Sequence, residues 1–303
     1  MDCPKFEKQF IVCPVCGKDN YAVLYEPWVD VDDPAELYGA ASGIPGTQYL
    51  VKCQCCEMIY ENPVYPAEVI IEGYRQSEQG PHDSQFPMRV ESFYKALKRS
   101  ASRIPLEGSR VLDIGTAGGA FLVAAERYGY ESWGMEPSAD LVERGKARGL
   151  KIEQGTIEQN NFEESSFDMI CLWDVIEHLP DPKGALNRIA LLLKPDGVLL
   201  INYPDIGTWM GKLFGRRFWW ILSVHLHHFT RTTISRLLET TRYEPISFGR
   251  YYQILQIGYL EDVAIQLDIP LSGLLKRLTP GFLQRLPIPY YASQTTALAR
   301  VRK

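Results

Sequence analysis

The chain has 303 residues, of which 46% are hydrophobic and 23% are charged. This composition can bury a substantial core, and the length favours one large domain with an accessory one. With 32 Lys and Arg against 37 Asp and Glu, the formal net charge is -5, which argues against nucleic acid as a main partner. The sequence shows no apolar signal core and no apolar run long enough to span a membrane, so we expect a cytoplasmic protein.

Four of the seven cysteines form two C-x-x-C pairs, with Cys13 and Cys16 in CPVCG and Cys53 and Cys56 in CQCCE. In a reducing compartment, such pairs indicate a metal site rather than disulfides. Two such turns supply a tetrahedral all-thiolate shell with no open position, so we predict a structural zinc. Cys55 can replace Cys56 only by shortening the turn, so Cys56 is the expected ligand. Four unrelated buried thiols are the alternative.

The order of segments predicts three parts: a zinc-ribbon domain at 1–75, a helical linker at 76–104, and a main domain at 105–303. From Arg110 onward, short apolar runs alternate with amphipathic segments, which predicts a doubly wound α/β sheet with helices on both faces. A last strand, TTALARVRK, is expected to pair beside EPISFGRY. The long segment between them, at about 252–294, predicts an inserted helical element.

The stretch VLDIGTAGGAFL reads as a strand, a glycine-rich turn and the start of a helix. Gly115, Gly118 and Gly119 allow the backbone to approach a ligand closely. A carboxylate at Asp113 within ~4 Å of a diphosphate costs about 4 kcal/mol at an effective dielectric near 20, which disfavours a dinucleotide. A cationic ligand without phosphate, such as S-adenosyl-L-methionine, fits better, with Glu136 at the end of the next strand accepting both ribose hydroxyls. A turn-stabilising role for Asp113 is the alternative.

Four segments in order carry a family resemblance: the D-x-G-x-x-x-G loop, the acid-ended strand WGMEP, SFDMICLWDVIEHLPDP and LLLKPDGVLLINYP. Together they resemble class I S-adenosylmethionine-dependent methyltransferases over roughly Arg103 to Arg250. The N-terminal CPVCG ribbon and the later RFWWILSVHLHHFT are similar to bacterial members that methylate sugars, glycolipids or other small metabolites. The resemblance implies a Rossmann-like, seven-stranded sheet, an S-adenosyl-L-methionine cofactor, and a small-molecule or glycan acceptor in surface-polysaccharide or natural-product biosynthesis. The cofactor-binding residues it leads us to expect are Asp113, Gly115, Thr116, Gly118, Gly119, Glu136, Thr156 and Asp174.

The sequence departs from the family pattern at two places. The loop usually reads D-I-G-C-G-T-G, whereas here Thr116 and Ala117 replace the cysteine and the second glycine. In the later E-H-L motif the glutamate is Val224, so the carboxylate of that position is absent. Either another carboxylate, from the ribbon or from Glu61, replaces it, or the acceptor is acidic enough to need little help.

Histidine is the side chain that most often removes an acceptor proton. We expect His225 to do so because it matches the family motif. We expect His178, in DVIEHLPD, near the cofactor, where it orients a loop or assists the acceptor. Histidines that only pack and cap the following helix are the alternative.

Two further interpretations stay open. The Leu-rich, basic segment near the C-terminus and WMGKLFGRRFWW either lie at the inner face of a membrane or pack against the sheet edge or a second copy in a homodimer. A binding module that uses the ribbon to hold RNA or a protein is the rival function, and an NAD-dependent oxidoreductase is a second rival enzyme. Asp113 argues against the oxidoreductase, and the acidic composition argues against RNA.

Overall fold

The computed structural model describes residues 6–31, 33–39, 43–75, 85–266 and 270–302. Residues 76–84 of the predicted linker lie outside these described residues. The strands of the described part are β1 (Tyr21–Tyr25), β2 (Leu50–Cys53), β3 (Ile59–Glu61), β4 (Arg110–Ile114), β5 (Glu131–Glu136), β6 (Ile152–Gln154), β7 (Phe167–Trp173), β8 (Leu193–Pro204), β9 (His227–His228), β10 (Tyr243–Gln256) and β11 (Pro287–Val301). The helices are α1 (Pro34–Gly39), α2 (Ala67–Arg75), α3 (Phe86–Ser100), α4 (Ala120–Tyr128), α5 (Ala139–Ala147), α6 (Pro182–Leu192), α7 (Trp209–Phe214), α8 (Arg231–Glu239), α9 (Ile257–Gln266), α10 (Ser272–Leu278) and α11 (Gly281–Gln284).

The larger sheet has seven strands in the order β10-β11-β8-β7-β4-β5-β6. Strands β6, β5, β4, β7 and β8 are parallel, while β11 is antiparallel to both β8 and β10. The strand order reverses at β4, which lies between β5 and β7, so the carboxyl ends of these strands form the switch point where such sheets bind ligands. The expected doubly wound, Rossmann-like α/β sheet is confirmed.

Strand β4 shows why this sheet is covered on both faces. The adjacent side chains Val111 and Leu112 point to opposite faces, and both are completely buried. Val111 belongs to a core cluster with Phe93 of α3 and Phe121 of α4, whereas Leu112 belongs to a second cluster with Ile189 of α6. A parallel strand buried on both faces reads as a continuous apolar run, which is why the sequence predicted it.

The C-terminal strands pair as expected but extend further than expected. β10 and β11 form an antiparallel pair from Tyr243↔Val301 to Gln256↔Pro287. Residues 252–256 and 287–294 of the predicted insertion are therefore strand, because β-branched and aromatic residues such as Ile254 and Tyr290 suit a pleated, half-buried surface. The helices α9 to α11 occupy only the middle of the insertion. In the described ranges, no helix has the length and apolar character needed to cross a membrane.

A second, four-stranded sheet joins the N-terminal part of the chain to the main domain. Its order is β1-β2-β3-β9, and the pairs are antiparallel. Strands β1 to β3 come from the predicted ribbon, but β9 lies far along the chain, and it contributes the pairs Ile59↔His228 and Tyr60↔His227. The N-terminal part is thus hydrogen-bonded to the segment that follows Val224 and His225.

Candidate active site

A cavity of about 330 Å³ opens at the carboxyl ends of the parallel strands. It is formed where β4 ends in the glycine-rich loop, with the ends of β5 and β7 on either side, so it lies at the switch point of the sheet. Gly119 is outside it: its φ of +85° starts α4, and an added Cβ there meets Leu150 at 2.3 Å, so Gly119 serves helix packing. The expected cofactor-binding residues that line the cavity are Asp113, Gly115, Thr116, Gly118, Glu136, Thr156 and Asp174.

The glycine-rich loop adopts a left-handed backbone at three places, Gly119 and two positions before it. Gly115 has φ +70°, and an added Cβ there lies 2.7 Å from Val175, so only glycine fits. Ala117, which replaces a family glycine, also has positive φ, at 50°. Its N–H donates to Glu136 Oε2 at 2.9 Å, and this charged hydrogen bond offsets the roughly 1–2 kcal/mol that a left-handed alanine costs. The departure from the family loop is therefore compatible with the turn.

Glu136 holds the loop and also faces the cavity. Its Oε1 accepts a hydrogen bond from Ser138 N at 3.0 Å, while its Oε2 accepts the one from Ala117. Burial raises the pKa of this carboxyl, and the two N–H donors oppose the rise. A carboxylate has about four lone-pair positions, so both oxygens keep capacity for the hydroxyl pair of a ribose.

Asp113 is buried at the end of β4 with an unused acceptor. Its side chain is only 2% exposed, and Oδ1 has no hydrogen-bond partner among the residues described. Burial raises its pKa to about 8, against the opposing effects of Thr116 and Arg89. An ammonium group would satisfy the orphan oxygen and favour its ionised form. Asp113, Glu136 and the tight loop therefore fit S-adenosyl-L-methionine.

Asp174 is fixed at the end of β7 by two amide side chains. Its Oδ1 accepts from Asn202 Nδ2 at 2.8 Å and from Gln294 Nε2 at 2.6 Å. Burial raises its pKa to about 6, and the Gln294 bond and the Arg89 charge oppose this. With φ at 56°, the residue turns the chain toward the following 3₁₀ turn at Ile176–His178.

The two candidate histidines lie in sequence-distant segments that meet at the cavity. His178 and Val224 line the cavity. His225 does not line it, and the centroid of its ring is 4.7 Å from that of His178. The structure therefore does not bring His225 to the cavity wall, because its imidazole turns inward and Nδ1 lies 2.7 Å from Trp220 O. Burial lowers the pKa of His178 to about 4 and holds that of His225 well below its usual range.

Tyr74 and Glu177 complete this histidine cluster, and the sequence interpretation did not single them out. The Tyr74 hydroxyl lies 2.9 Å from His178 Nδ1 and donates to Val224 O at 2.8 Å. One carboxylate oxygen of Glu177 and one ring nitrogen of each histidine lie within 4.8 Å of one another. Glu177 is next to His178 in the segment DVIEHLPD, so the sequence shows that the two residues are neighbours. The sequence does not show that Glu177 is buried. Glu61, an expected substitute carboxylate, instead lies beside Gln48 and Lys8.

The four cysteines of the predicted zinc site converge. The Sγ atoms of Cys13 and Cys56 are 3.4 Å apart, and those of Cys16 and Cys53 are 3.6 Å apart. A tetrahedral zinc with Zn–S bonds of about 2.3 Å requires sulfur separations of about 3.8 Å, so the set fits this ion. Cys55 is exposed and lies outside the group. Burial raises the pKa of Cys13 to about 11, whereas for Cys53 burial is outweighed by the backbone hydrogen bonds of Cys56 and Cys55, which lower its pKa to about 7. A bound metal would favour the thiolate form of both.

The fold and the cavity define a Rossmann-like α/β enzyme with a switch-point ligand site. The chain belongs to the family described as "Methyltransferase domain", which matches residues 88–247. It accordingly carries a methyltransferase domain, as the resemblance implied.

Curated relatives and solved structures are consistent with this family. The chain is 30% identical over 155 residues to a ubiquinone biosynthesis O-methyltransferase of Xylella fastidiosa, covering 44% of this chain and 61% of the relative. It is 32% identical over 104 residues to the protein of that name from Alkalilimnicola ehrlichii, covering 32% and 42%. The matches thus span less than two thirds of these relatives.

Two solved structures show the same fold at low sequence identity. A SAM-dependent methyltransferase from Archaeoglobus fulgidus is 18% identical, with a TM-score of 0.50, covering 73% of this chain and 100% of that one. A chain of the complex between the Haloferax volcanii Trm112 methyltransferase activator and a methyltransferase is 15% identical, with a TM-score of 0.52, covering 75% and 100%.

Proposed function

We propose that this methyltransferase acts on a hydroxyl group of a small acceptor of the sugar, glycan or glycolipid class. The observation that carries the proposal is the single cavity that joins Asp113 and Glu136 to His178. One end thus offers the carboxylates that suit a cationic cofactor, and the other offers an imidazole for an acceptor proton. The relatives' name, O-methyltransferase, supports oxygen as the accepting atom.

On this proposal, the loop and the two carboxylates hold the cofactor. Glu136 accepts the ribose hydroxyls, Asp113 faces the ammonium, and Gly115 lets the chain pass close by. The bound cofactor supplies an electrophilic methyl group on a sulfonium. The protein's contribution is to align the acceptor oxygen with that carbon and to exclude water.

His178 is the side chain we assign to the acceptor, with His225 supporting it. Nδ1 of His178 lies 2.8 Å from Val224 O, and a carbonyl oxygen only accepts, so we assign the proton to Nδ1. The backbone of Asp174 is a second hydrogen-bond partner of this ring. Nδ1 of His225 faces Trp220 O in the same way. The pair therefore has the tautomer needed to take a proton through Nε2.

We also propose that Cys13, Cys16, Cys53 and Cys56 hold a structural zinc. The convergence of these four cysteines within the N-terminal part supports a ribbon domain at 1–75, followed by a linker at 76–104 and a main domain at 105–303. The pairing of β3 with β9 makes the ribbon part of the framework of the histidine segment rather than a separate module.

The experiment that tests the acceptor proposal uses S-adenosyl-L-methionine with a deuterated methyl group and a panel of sugars, glycolipids, amines and carboxylates. We expect label on a hydroxyl oxygen, located by mass spectrometry. His225→Asn and His178→Asn should lower turnover by roughly 10²- to 10⁴-fold, with S-adenosylhomocysteine affinity nearly unchanged. His227→Asn is the matched control, because His227 is equally buried but bonds to Leu179 O.

Three results count against the proposal. Label found only on nitrogen or on a carboxylate excludes the hydroxyl acceptor. Full turnover in both His178→Asn and His225→Asn removes the histidines from the reaction. Calorimetry in which NAD or RNA binds and S-adenosylhomocysteine does not would favour the rival functions instead.

A further inference from the structure

Glu177 is a buried carboxyl group with no hydrogen bond to another residue of the described part of the chain. It lies in the 3₁₀ turn at Ile176–His178, and its side chain is only 1% exposed. Neither oxygen has a partner within the part of the chain that the structure describes. Leaving a buried carboxylate unpaired costs several kcal/mol, so a purely structural role does not account for it.

The neighbours of this carboxyl group are the two imidazoles. One of its oxygens lies within 4.8 Å of a ring nitrogen of His178 and of a ring nitrogen of His225, although no hydrogen bond joins them in the described part of the chain. Both Nδ1 atoms are committed to backbone carbonyls, Val224 O and Trp220 O. We therefore assign the exchange of a proton with Glu177 to the ring nitrogens that do not face these two carbonyls.

We propose that Glu177 supplies the carboxylate that the related motif carries at position 224, where this chain has Val224. It is a positioning residue: it stabilises the imidazolium of the His178–His225 pair and does not itself contact the acceptor. This inference rests on the proposed function, because it assumes that the pair removes an acceptor proton.

The proton balance of the step is simple. The acceptor O–H bond breaks, its proton passes to His178, and the oxygen lone pair forms the new bond to the methyl carbon as the carbon–sulfur bond breaks. The step begins from the form of the cluster in which Glu177 is ionised, so the cluster then holds one additional proton, shared between imidazole and carboxylate, and releases it to solvent when the product leaves. The carboxylate lowers the energy of this state by offsetting the new positive charge.

The groups around the cluster favour this proton-accepting role. Burial and the charge of Asp174 raise the pKa of Glu177 well above its usual range, so this carboxyl binds a proton more readily than an exposed one and shares it with the adjacent imidazoles. Tyr74 of α2 bonds to His178, and His228 of β9 lies with its ring 6.5 Å from that of His225. Asp174, Tyr74 and His228 are thus titratable neighbours of the cluster among the described residues, and none of these three is a lysine or arginine that would pair with Glu177.

The test compares Glu177→Gln, Val224→Glu and the double variant. Glu177→Gln keeps the side-chain shape, and we expect kcat to fall by roughly 10- to 100-fold, with KM for the acceptor and S-adenosylhomocysteine affinity nearly unchanged. The double variant should regain at least about tenfold in kcat, since Val224 lines the same cavity and its replacement restores a carboxylate. Glu164→Gln, an exposed carboxyl in the loop before β7, is the matched control.

A second readout needs no acceptor, so it separates this inference from the proposed function. NMR titration of the His178 imidazole should give a lower pKa in Glu177→Gln than in the wild type, because in the wild type the ring and the Glu177 carboxylate share one proton, and glutamine cannot share it. An unchanged imidazole pKa overturns the inference, even if the enzyme methylates hydroxyls. If the imidazole pKa changes but the methyl group is transferred only to nitrogen, Glu177 is still the partner of the imidazole. In that case the assignment of a hydroxyl acceptor is wrong.

Other results also overturn the inference. Full kcat in Glu177→Gln does so, as does a double variant that regains nothing while binding S-adenosylhomocysteine normally. A second metal ion per chain, beyond the one expected at the cysteines and lost in Glu177→Gln, would make the cluster a metal site instead.

Discussion

The carboxylate of Glu136 accepts hydrogen bonds from the backbone of Ala117 and Ser138 and, on the proposed function, from the ribose of the cofactor. The first prediction concerns the ribose. Glu136→Gln replaces an acceptor oxygen with an amide donor, so one charged hydrogen bond to the ribose is lost. We expect S-adenosylhomocysteine affinity to fall by about 1.5–3 kcal/mol, roughly 10- to 150-fold. Calorimetry measures this. Glu131→Gln, at the exposed start of the same strand and paired with Lys151, should bind normally; equal affinity in both variants would contradict the ribose assignment.

Asp113 gives a pH-dependent prediction. Burial raises its pKa to about 8, so the free protein holds a proton there at neutral pH. A ligand ammonium favours the carboxylate, so binding releases that proton and S-adenosylhomocysteine affinity should rise about tenfold or more from pH 6 to 8. The raised pKa also means that Asp113 contributes stability to the free protein at low pH, which is lost as pH rises through about 8.

Calorimetry in buffers of different ionisation enthalpy counts the released proton. Asp113→Asn should abolish the pH slope. Asp140→Asn, an exposed carboxyl on α5 paired with Arg144, should keep it. If the S-adenosylhomocysteine affinity of Asp113→Asn still depends on pH, a group other than Asp113 releases the proton on binding.

Among the secondary-structure elements, the two C-x-x-C turns carry the third prediction. The purified protein should contain one zinc per chain, measured by elemental analysis. Cys13→Ser should lower the free energy of unfolding by more than about 4 kcal/mol, since loss of a metal site is among the largest single-residue effects. Cys55→Ser is the matched control, because this exposed thiol lies within the second turn but outside the sulfur group. Equal stability of the two variants, or metal-free protein prepared without chelators, would refute the zinc site.

The elements themselves were predictable where one physical signal dominates. The apolar run VLDI gave β4 because both of its faces are buried, and the C-x-x-C spacing selected Cys56 over Cys55. The ends of β10 and β11 were not predictable, because residues such as Gln253 and Leu255 are compatible with a helix as well as with a half-exposed strand.

The candidate site was predictable only in its residue types. The glycine loop and Glu136 follow from local spacing, so most of the expected cofactor residues line the cavity. Which of His178 and His225 lines the cavity depends on how segments that are distant in the sequence pack together. The spacing of residues along the chain does not determine this. The burial of Glu177 and the approach of Tyr74 depend on the same packing.

On the scale of the whole molecule, an exposed apolar surface on the C-terminal helices is the main unexplained feature. Its six large side chains are each between 49% and 75% exposed, and Arg277 and Arg285 lie among them. Exposed aliphatic groups with a basic rim suit a membrane surface with anionic headgroups. The residues of this surface are Leu271, Leu274, Leu275, Leu278, Phe282 and Leu286.

The fourth prediction is that the protein sediments with phosphatidylglycerol-containing vesicles and less with phosphatidylcholine alone. Replacing Leu274, Leu275 and Phe282 together with serine should weaken vesicle binding at least about tenfold, because each buried CH₂ contributes about 0.8 kcal/mol. Leu106→Ser is the control, since Leu106 is an isolated leucine that is 82% exposed. A protein that ignores vesicles but dimerises through this surface, seen as a monomer in the triple variant, would identify a second copy as the partner.

The four-stranded sheet has a consequence for biosynthesis. Strands β1 to β3 leave the ribosome early, but their last partner, β9, is synthesised only after β4 to β8. Until His227 and His228 emerge, the edge of β3 has unpaired backbone groups. The nascent chain therefore carries an open strand edge while the parallel sheet is being made. Early metal capture by the cysteines would hold that edge in register, so zinc-starved cells should accumulate aggregated nascent protein rather than inactive folded enzyme.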